Sequence, residues 1–232
     1  MTDLTGFSVE CGCGVKWTAN LPSKPGPYFD TRCAACEAKD LTARKERDHH
    51  NEFMDRFNRS GLPSALRRKT LPAGQLRDLA TDWAKADGML LTVHGPVGSG
   101  KTHFAAVACR YMLGRRQVRW IEVARQMAML QAAFGDEDRR EALASFTGTG
   151  PVVFDDFDKV IEGERGLPKL FAALDSRVVR EVPGLVTMNS SLDDLRDRIA
   201  SQRPDLADPI VSRLRGGRVV KLPGRDRRRD SQ

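Results

Sequence analysis

Residues 95–102 read Gly95, Pro96, Val97, Gly98, Ser99, Gly100, Lys101 and Thr102, a complete G-x4-G-K-T. A loop of this spelling works in one setting, after a buried strand and ahead of a helix. The apolar run Met89–Val93 precedes it, and the helical stretch His103–Leu113 follows it. The glycines let main-chain N–H groups turn inward onto phosphate oxygens, and the helix N-terminus adds its dipole. Lys101 is expected to reach the β and γ phosphates of ATP, and the Thr102 hydroxyl to ligate Mg2+.

That setting extends to the rest of the chain. Strand-length apolar runs recur at Val118–Val123, Val152–Phe154, Leu185–Met188 and Val219–Leu222, with helical stretches between them. Strands alternating with helices predict an α/β fold, a parallel five-stranded sheet flanked by helices. A chain of 232 residues has room for one sizeable core and a small satellite domain. Hydrophobic residues are 40% and charged residues 30%, as in a soluble globular protein. No apolar run nears the roughly 18 residues of a membrane span, so no membrane partner is expected. The start MTDLTGFSVECGCG has no basic stretch followed by an apolar block, which predicts no signal peptide and a cytoplasmic protein.

Two of the strands end in polar residues suited to phosphate chemistry. Val152–Phe154 runs into Asp155 and Asp156, a Walker B-like ending. Asp155 is expected to hold Mg2+, and Asp156 to orient or deprotonate the attacking water. Leu185–Met188 runs into Asn189, whose neutral amide would sit beside the γ-phosphate; asparagine as a simple turn former is the other reading. Arg213 lies on a helical stretch just before the last strand. It reads either as a finger reaching a neighbouring subunit's ATP or as a solvated arginine.

The N-terminal region is of another kind. Cys11, Cys13, Cys33 and Cys36 form two close pairs, separated by a loop rich in Pro and Gly. Each pair can grip one tetrahedral metal, and four thiolates suit structural Zn2+; a disulfide framework or free thiols are the alternatives. His49 and His50 read as helix surface, and Cys109 as a core residue on the P-loop helix. Residues 37–60 read as a charged helix ended by Gly61 and Pro63. Residues 213–232 carry eight basic and two acidic side chains of a chain with net charge +7. A basic tail points to a polyanionic partner or to a solvated terminus.

From about Gly61 to Arg228 the chain resembles the DnaC/DnaI-type helicase loaders and their IstB-like relatives, a branch of the AAA+ ATPases. The resemblance rests on Ser60-Gly-Leu-Pro63, GPVGSGKTHFAAV with His103 after Thr102, VVFDDFD, the arginine in LDSRVVREVPGLVTMNSSLDDL, and SRLRGGRVVKLPGRDRR. It implies the AAA+ sheet order, Walker A roles for Lys101 and Thr102, Walker B roles for Asp155 and Asp156, sensor one for Asn189, and the finger position for Arg213. Arg228 falls near the family's C-terminal nucleotide-sensing arginine, although Arg225, Arg227 and Arg229 crowd that register. Asp156 stands where AAA+ proteins generally carry Glu, one methylene longer. The expected divisions are a zinc-binding domain over 1–40, a charged helical linker over 41–61, an AAA+ domain over 62–224, and a basic tail over 225–232.

The function implied by the resemblance is ATP-dependent loading of a hexameric replicative helicase onto single-stranded DNA, with self-association on the helicase or DNA. With aromatics only 6%, contacts to a single strand would run mostly through its backbone and be salt-sensitive. Two other readings fit the same motifs. One is an IstB-like transposition helper ATPase on duplex DNA. The other is a nucleotide-gated binding protein with negligible turnover.

Overall fold

The computed structural model describes residues 5–21, 32–132, 146, 148–162 and 166–224. Arg228, its neighbouring arginines and the block 135–140, read from sequence as a loop, lie outside the described residues. The chain divides into two compact units, Met1–Met54 and Asp55–Gln232.

The first unit opens with the antiparallel pair β1 (Thr5–Glu10) and β2 (Lys16–Leu21), in which Val9 faces Trp17. Its turn is closed by Cys11 N–H on the Val15 carbonyl and Gly14 N–H on the Cys11 carbonyl, both 2.8 Å. Gly14, at φ +88, takes the left-handed conformation the turn requires. Helix α1 (Ala34–Arg59) starts immediately after Cys33, so Cys36 falls in its first turn; from Asp55 on it belongs to the second unit. Among the described residues of this unit Val9, Cys11 and Cys33 are buried, little apolar surface to hold them without a staple.

The second unit is built on five parallel strands: β3 (Leu90–His94), β4 (Arg119–Glu122), β5 (Val152–Asp155), β6 (Gly184–Met188) and β7 (Arg218–Lys221). Their order is β4-β5-β6-β3-β7. The helices that connect and cover them are α2 (Gln75–Lys85), α3 (Lys101–Leu113), α4 (Val123–Ala132), α5 (Leu167–Val179), α6 (Leu192–Ala200) and α7 (Pro204–Arg215). Every residue of β5 and β6 is buried, as expected of strands covered on both faces. The expected strands are present, their ends shifted by a residue or so.

Two close approaches fix the geometry at the start of β3. Trp83, fully buried on α2, donates its indole N–H to the Gly184 carbonyl at 3.0 Å. Gly217 joins α7 to β7 so near β3 that a Cβ there would lie 2.1 Å from the Leu90 carbonyl oxygen. All five strands point the same way. The loops after His94, Asp155 and Met188 therefore emerge at one end of the sheet, where open α/β sheets bind ligands.

Candidate nucleotide site and cysteine cluster

The loop between β3 and α3 has the conformation its sequence demands. Gly95, Gly98 and Gly100 sit at φ +152, +82 and +92. At Gly95 a Cβ would come within 2.4 Å of the Leu222 carbonyl oxygen, so only glycine fits. Lys101 bends back over the loop, its Nζ 2.7 Å from the Gly95 oxygen and 2.9 Å from the Pro96 oxygen. Gly100 precedes α3 without a side-chain cap, so the first amides of the helix stay available to an anion. The buried Ser99 hydroxyl finds no hydrogen-bond partner among the described residues. An uncapped helix start, a hydroxyl in want of a partner and a lysine ammonium within one eight-residue loop fit a chain of phosphates. Beneath the loop, burial first and the charges of Lys221 and Lys101 next depress the pKa of His94, which keeps its ring neutral.

Thr102 opens α3 and meets the end of β5. Its hydroxyl donates to Asp155 Oδ1 at 3.1 Å, and Thr187 of β6 donates to the same oxygen at 2.6 Å. Thr187 in turn accepts the Asp156 main-chain N–H at 3.0 Å. This web joins the ends of α3, β5 and β6 around one carboxylate. Burial pushes the Asp155 pKa up, with Asp156 and Glu122 adding and the two threonine hydrogen bonds opposing. A carboxylate beside a threonine hydroxyl, at the mouth of a phosphate loop, is a donor set that fits Mg2+.

Asp156 adopts φ +54, left-handed backbone rare for a residue with a side chain, and its carboxylate is ion-paired with Lys159. Asn189 directly follows β6, and its main-chain N–H donates to Asp158 Oδ2 at 2.9 Å. Sequence reasoning missed both Thr187 and Asp158. Thr187 was visible as the only hydroxyl in the strand LVTM, and Asp158 as the third carboxylate of DDFD, but neither has a role until β5 and β6 are seen side by side.

Arg213 lies at the other end of the sheet. Its guanidinium pairs with Asp175 of α5, Nη2 and Nε standing 2.9 and 3.1 Å from Oδ1, and sits 4.9 Å from the Phe171 ring centre. It lines a groove of about 710 Å³ with Asp175, Leu90, Ser212 and Arg218, around the start of β3. The loop holding Lys101 follows the end of β3, a strand length away, about 13 Å at the usual rise per residue. Arg213 is therefore not part of the phosphate hollow of its own chain.

In the first unit the sulfurs of Cys11, Cys13, Cys33 and Cys36 all lie within 4.8 Å of one another. Cys11 and Cys36 Sγ are 3.6 Å apart, Cys13 and Cys33 Sγ 3.5 Å. A tetrahedral zinc with Zn–S near 2.3 Å requires an edge of about 3.8 Å, whereas a disulfide requires about 2.05 Å. The cluster thus matches metal ligation and is compatible with a zinc site. The Cys13 and Cys33 amides pull the Cys11 thiol down to about 6, while hydrogen bonds from the other three thiols push Cys36 up to about 12. Cys109, fully buried on α3, takes no part.

No family model matches the chain. It is 28% identical over 147 residues, 62% of its length, to a Mycobacterium tuberculosis protein described as an ATP-binding protein in an insertion sequence; the match spans 57% of that protein. Among solved structures, the fold of DnaI superposes with a TM-score of 0.57 at 19% identity, over 71% of this chain and 95% of that one. DnaA bound to AMPPCP and single-stranded DNA gives 0.57 at 16% identity, over 70% and 51%. A Streptococcus pyogenes serotype M3 protein described as a primosome component gives 0.52 at 18% identity, over 72% and 93%. The expected five-stranded parallel sheet flanked by helices is the one observed, and with its phosphate loop the second unit has the AAA+ fold shared with DnaI and DnaA.

Proposed function

We propose that this chain is a slow AAA+ ATPase that loads a hexameric replicative helicase onto single-stranded DNA. The observation that carries the ATPase reading is the web of Thr102, Asp155 and Thr187 beside a fully formed phosphate loop. Gly95 to Thr102 hold the phosphates, and Lys101 moves from its own loop carbonyls onto the β and γ oxygens. Bound Mg2+ supplies neutralisation of the charge on those oxygens. Thr102 and Asp155 hold that ion, Asp156 orients the water and takes up its proton, and Asn189 reads the γ-phosphate. Arg213 completes the site of an adjacent copy, which its distance from the home loop supports. The four thiolates of Cys11, Cys13, Cys33 and Cys36 hold Zn2+, which supplies the first unit with its missing core. Arg228 remains the proposed C-terminal nucleotide sensor.

The helicase and the single strand as partners rest on the motifs shared with DnaC/DnaI-type proteins and on the superposition over nearly all of DnaI. Capture of a purified hexameric replicative helicase by the full chain, with ATP and with ADP, tests this. Nucleotide-dependent capture is expected; no capture in either state overturns the loader reading while leaving the ATPase reading intact. The insertion-sequence relative favours a second reading, a transposition helper. Binding to duplex DNA in preference to a single strand, without helicase capture, would favour it. The Asp156–Lys159 ion pair favours a third, a nucleotide-gated binder with negligible turnover.

A further inference from the structure

We propose that Asp158 is a positioning residue that hangs the loop carrying Asn189 from the segment carrying Asp156. The proposal rests on the ATPase reading above. Asp158 sits in the 3-10 turn Phe157–Glu162, two residues after Asp156, and its side chain is 4% exposed. One oxygen, Oδ2, accepts from Asn189 N–H at 2.9 Å, Ser190 N–H at 2.9 Å and the Ser190 hydroxyl at 2.8 Å. Three donors on one buried carboxylate oxygen are a charge-assisted set, stronger than neutral hydrogen bonds. Its other oxygen is buried with no hydrogen-bond partner among the described residues, so the hydrogen bonds of this carboxylate all go to the loop, while Arg198 of α6 stands 3.9 Å from Oδ2 as a long ion pair.

The ordinary role of such an aspartate would be to cap the following helix. That role is already filled. Ser191 and Asp194 form a complete capping box at the start of α6, the Ser191 hydroxyl accepting from Asp194 N–H at 3.1 Å and Ser191 N–H donating to Asp194 Oδ2 at 3.2 Å. The Asp158 contacts fall ahead of the cap, on the two residues that join β6 to it. Together with Thr187, which takes the Asp156 N–H, they tie the β6 loop to the β5 loop at two points. Arg198 of α6 braces the tie, donating to the Ser190 hydroxyl at 2.9 Å and to the Asp158 carbonyl at 3.2 Å. The group that orients water and the group that reads the γ-phosphate are thereby held in one frame. A shift of about 1 Å between such groups can cost on the order of 100-fold in rate.

The test uses the full chain with Asp158→Asn and Asp158→Ala. Steady-state ATPase gives kcat and KM, and calorimetry gives the affinities for AMPPCP and ADP. The expected result is a fall in kcat of about 10-fold or more in Asp158→Ala with KM little changed, Asp158→Asn being intermediate. ADP affinity stays near wild type while the preference for AMPPCP over ADP shrinks, because only the γ-phosphate contact is loosened. Wild-type kcat with a wild-type AMPPCP preference overturns the proposal, as does an equal loss of affinity for both nucleotides in Asp158→Asn. Should Asp158→Ala fail to fold, Asp158→Asn, which keeps shape and acceptor, decides alone. Should the wild-type chain bind AMPPCP yet show no turnover, the ATPase reading has failed; the AMPPCP-to-ADP ratio in Asp158→Asn still decides the tie.

Discussion

Lys159 closes an ion pair on Asp156, three residues back, at the place where a water-orienting carboxylate is expected. The hydrogen bond to Asp156 raises the Lys159 pKa, so the lysine keeps its charge at neutral pH. Asp156 must leave this partner to act on water. The lysine is 53% exposed and the aspartate 25%, and exposed pairs hold at most about 1 kcal/mol. Lys159→Ala should therefore raise basal ATP turnover, by no more than about fivefold. A fall in turnover would instead make Lys159 a phosphate ligand.

Asp155 gives a pH prediction whose sign is fixed by burial. Its pKa is raised in the folded chain, so the folded state holds that proton more tightly than the unfolded state. The associated stability is complete below the ordinary carboxylate pKa and is lost as pH rises through the raised value. Without Mg2+, Asp155→Asn should melt at or above the wild-type temperature at neutral pH, and the gap should close in acid. Adding Mg2+ to the ATP-bound chain should raise the melting temperature of the wild type more than that of the variant. Thermal melts across pH check both statements; a variant that melts lower at neutral pH contradicts them.

The cysteine cluster predicts one zinc per chain, bound by Cys11, Cys13, Cys33 and Cys36. Metal analysis of protein purified without chelator should give a ratio near one, and chelation should unfold the first unit while leaving ATP binding intact. A ratio near zero, with thiols fully reactive, rules the site out.

Arg213 predicts catalysis shared between copies. A trans arginine contributes about 10³-fold or more in related NTPases. Arg213→Ala chains keep an intact Asp155, and Asp155→Asn chains keep an intact Arg213. Mixed, they should recover activity above either alone. No recovery, where wild-type chains assemble and hydrolyse ATP, would leave the Asp175 ion pair as the whole role of Arg213.

Much of this architecture was legible in the residues, and the rest was hidden for a physical reason. Gly95, Gly98 and Gly100 announce a loop because their positive φ angles favour glycine, and at Gly95 a Cβ would also collide with the Leu222 carbonyl. Continuous apolar runs announce β3, β5 and β6 because those strands are covered on both faces. The β1–β2 hairpin was not foreseen: its strands bury little, and the pair spacing of Cys11 and Cys13 spoke first for metal. Thr187 and Asp158 are ordinary polar residues in sequence. Their roles arise from contacts with partners roughly thirty residues away, created when β5 pairs with β6. Asp175, the partner of Arg213, is hidden in the same way.

If the loop Gly95–Thr102 binds ATP·Mg2+ through Lys101, as proposed, calorimetric titration of the full chain and of Lys101→Ala will show it. Lys101 is 5% exposed and its ammonium is tied to the carbonyls of its own loop, so circular dichroism must first show that the variant is folded. The expected result is one ATP per wild-type chain and no measurable binding to the variant. Wild-type affinity in Lys101→Ala, or no heat of binding in either protein, would contradict it.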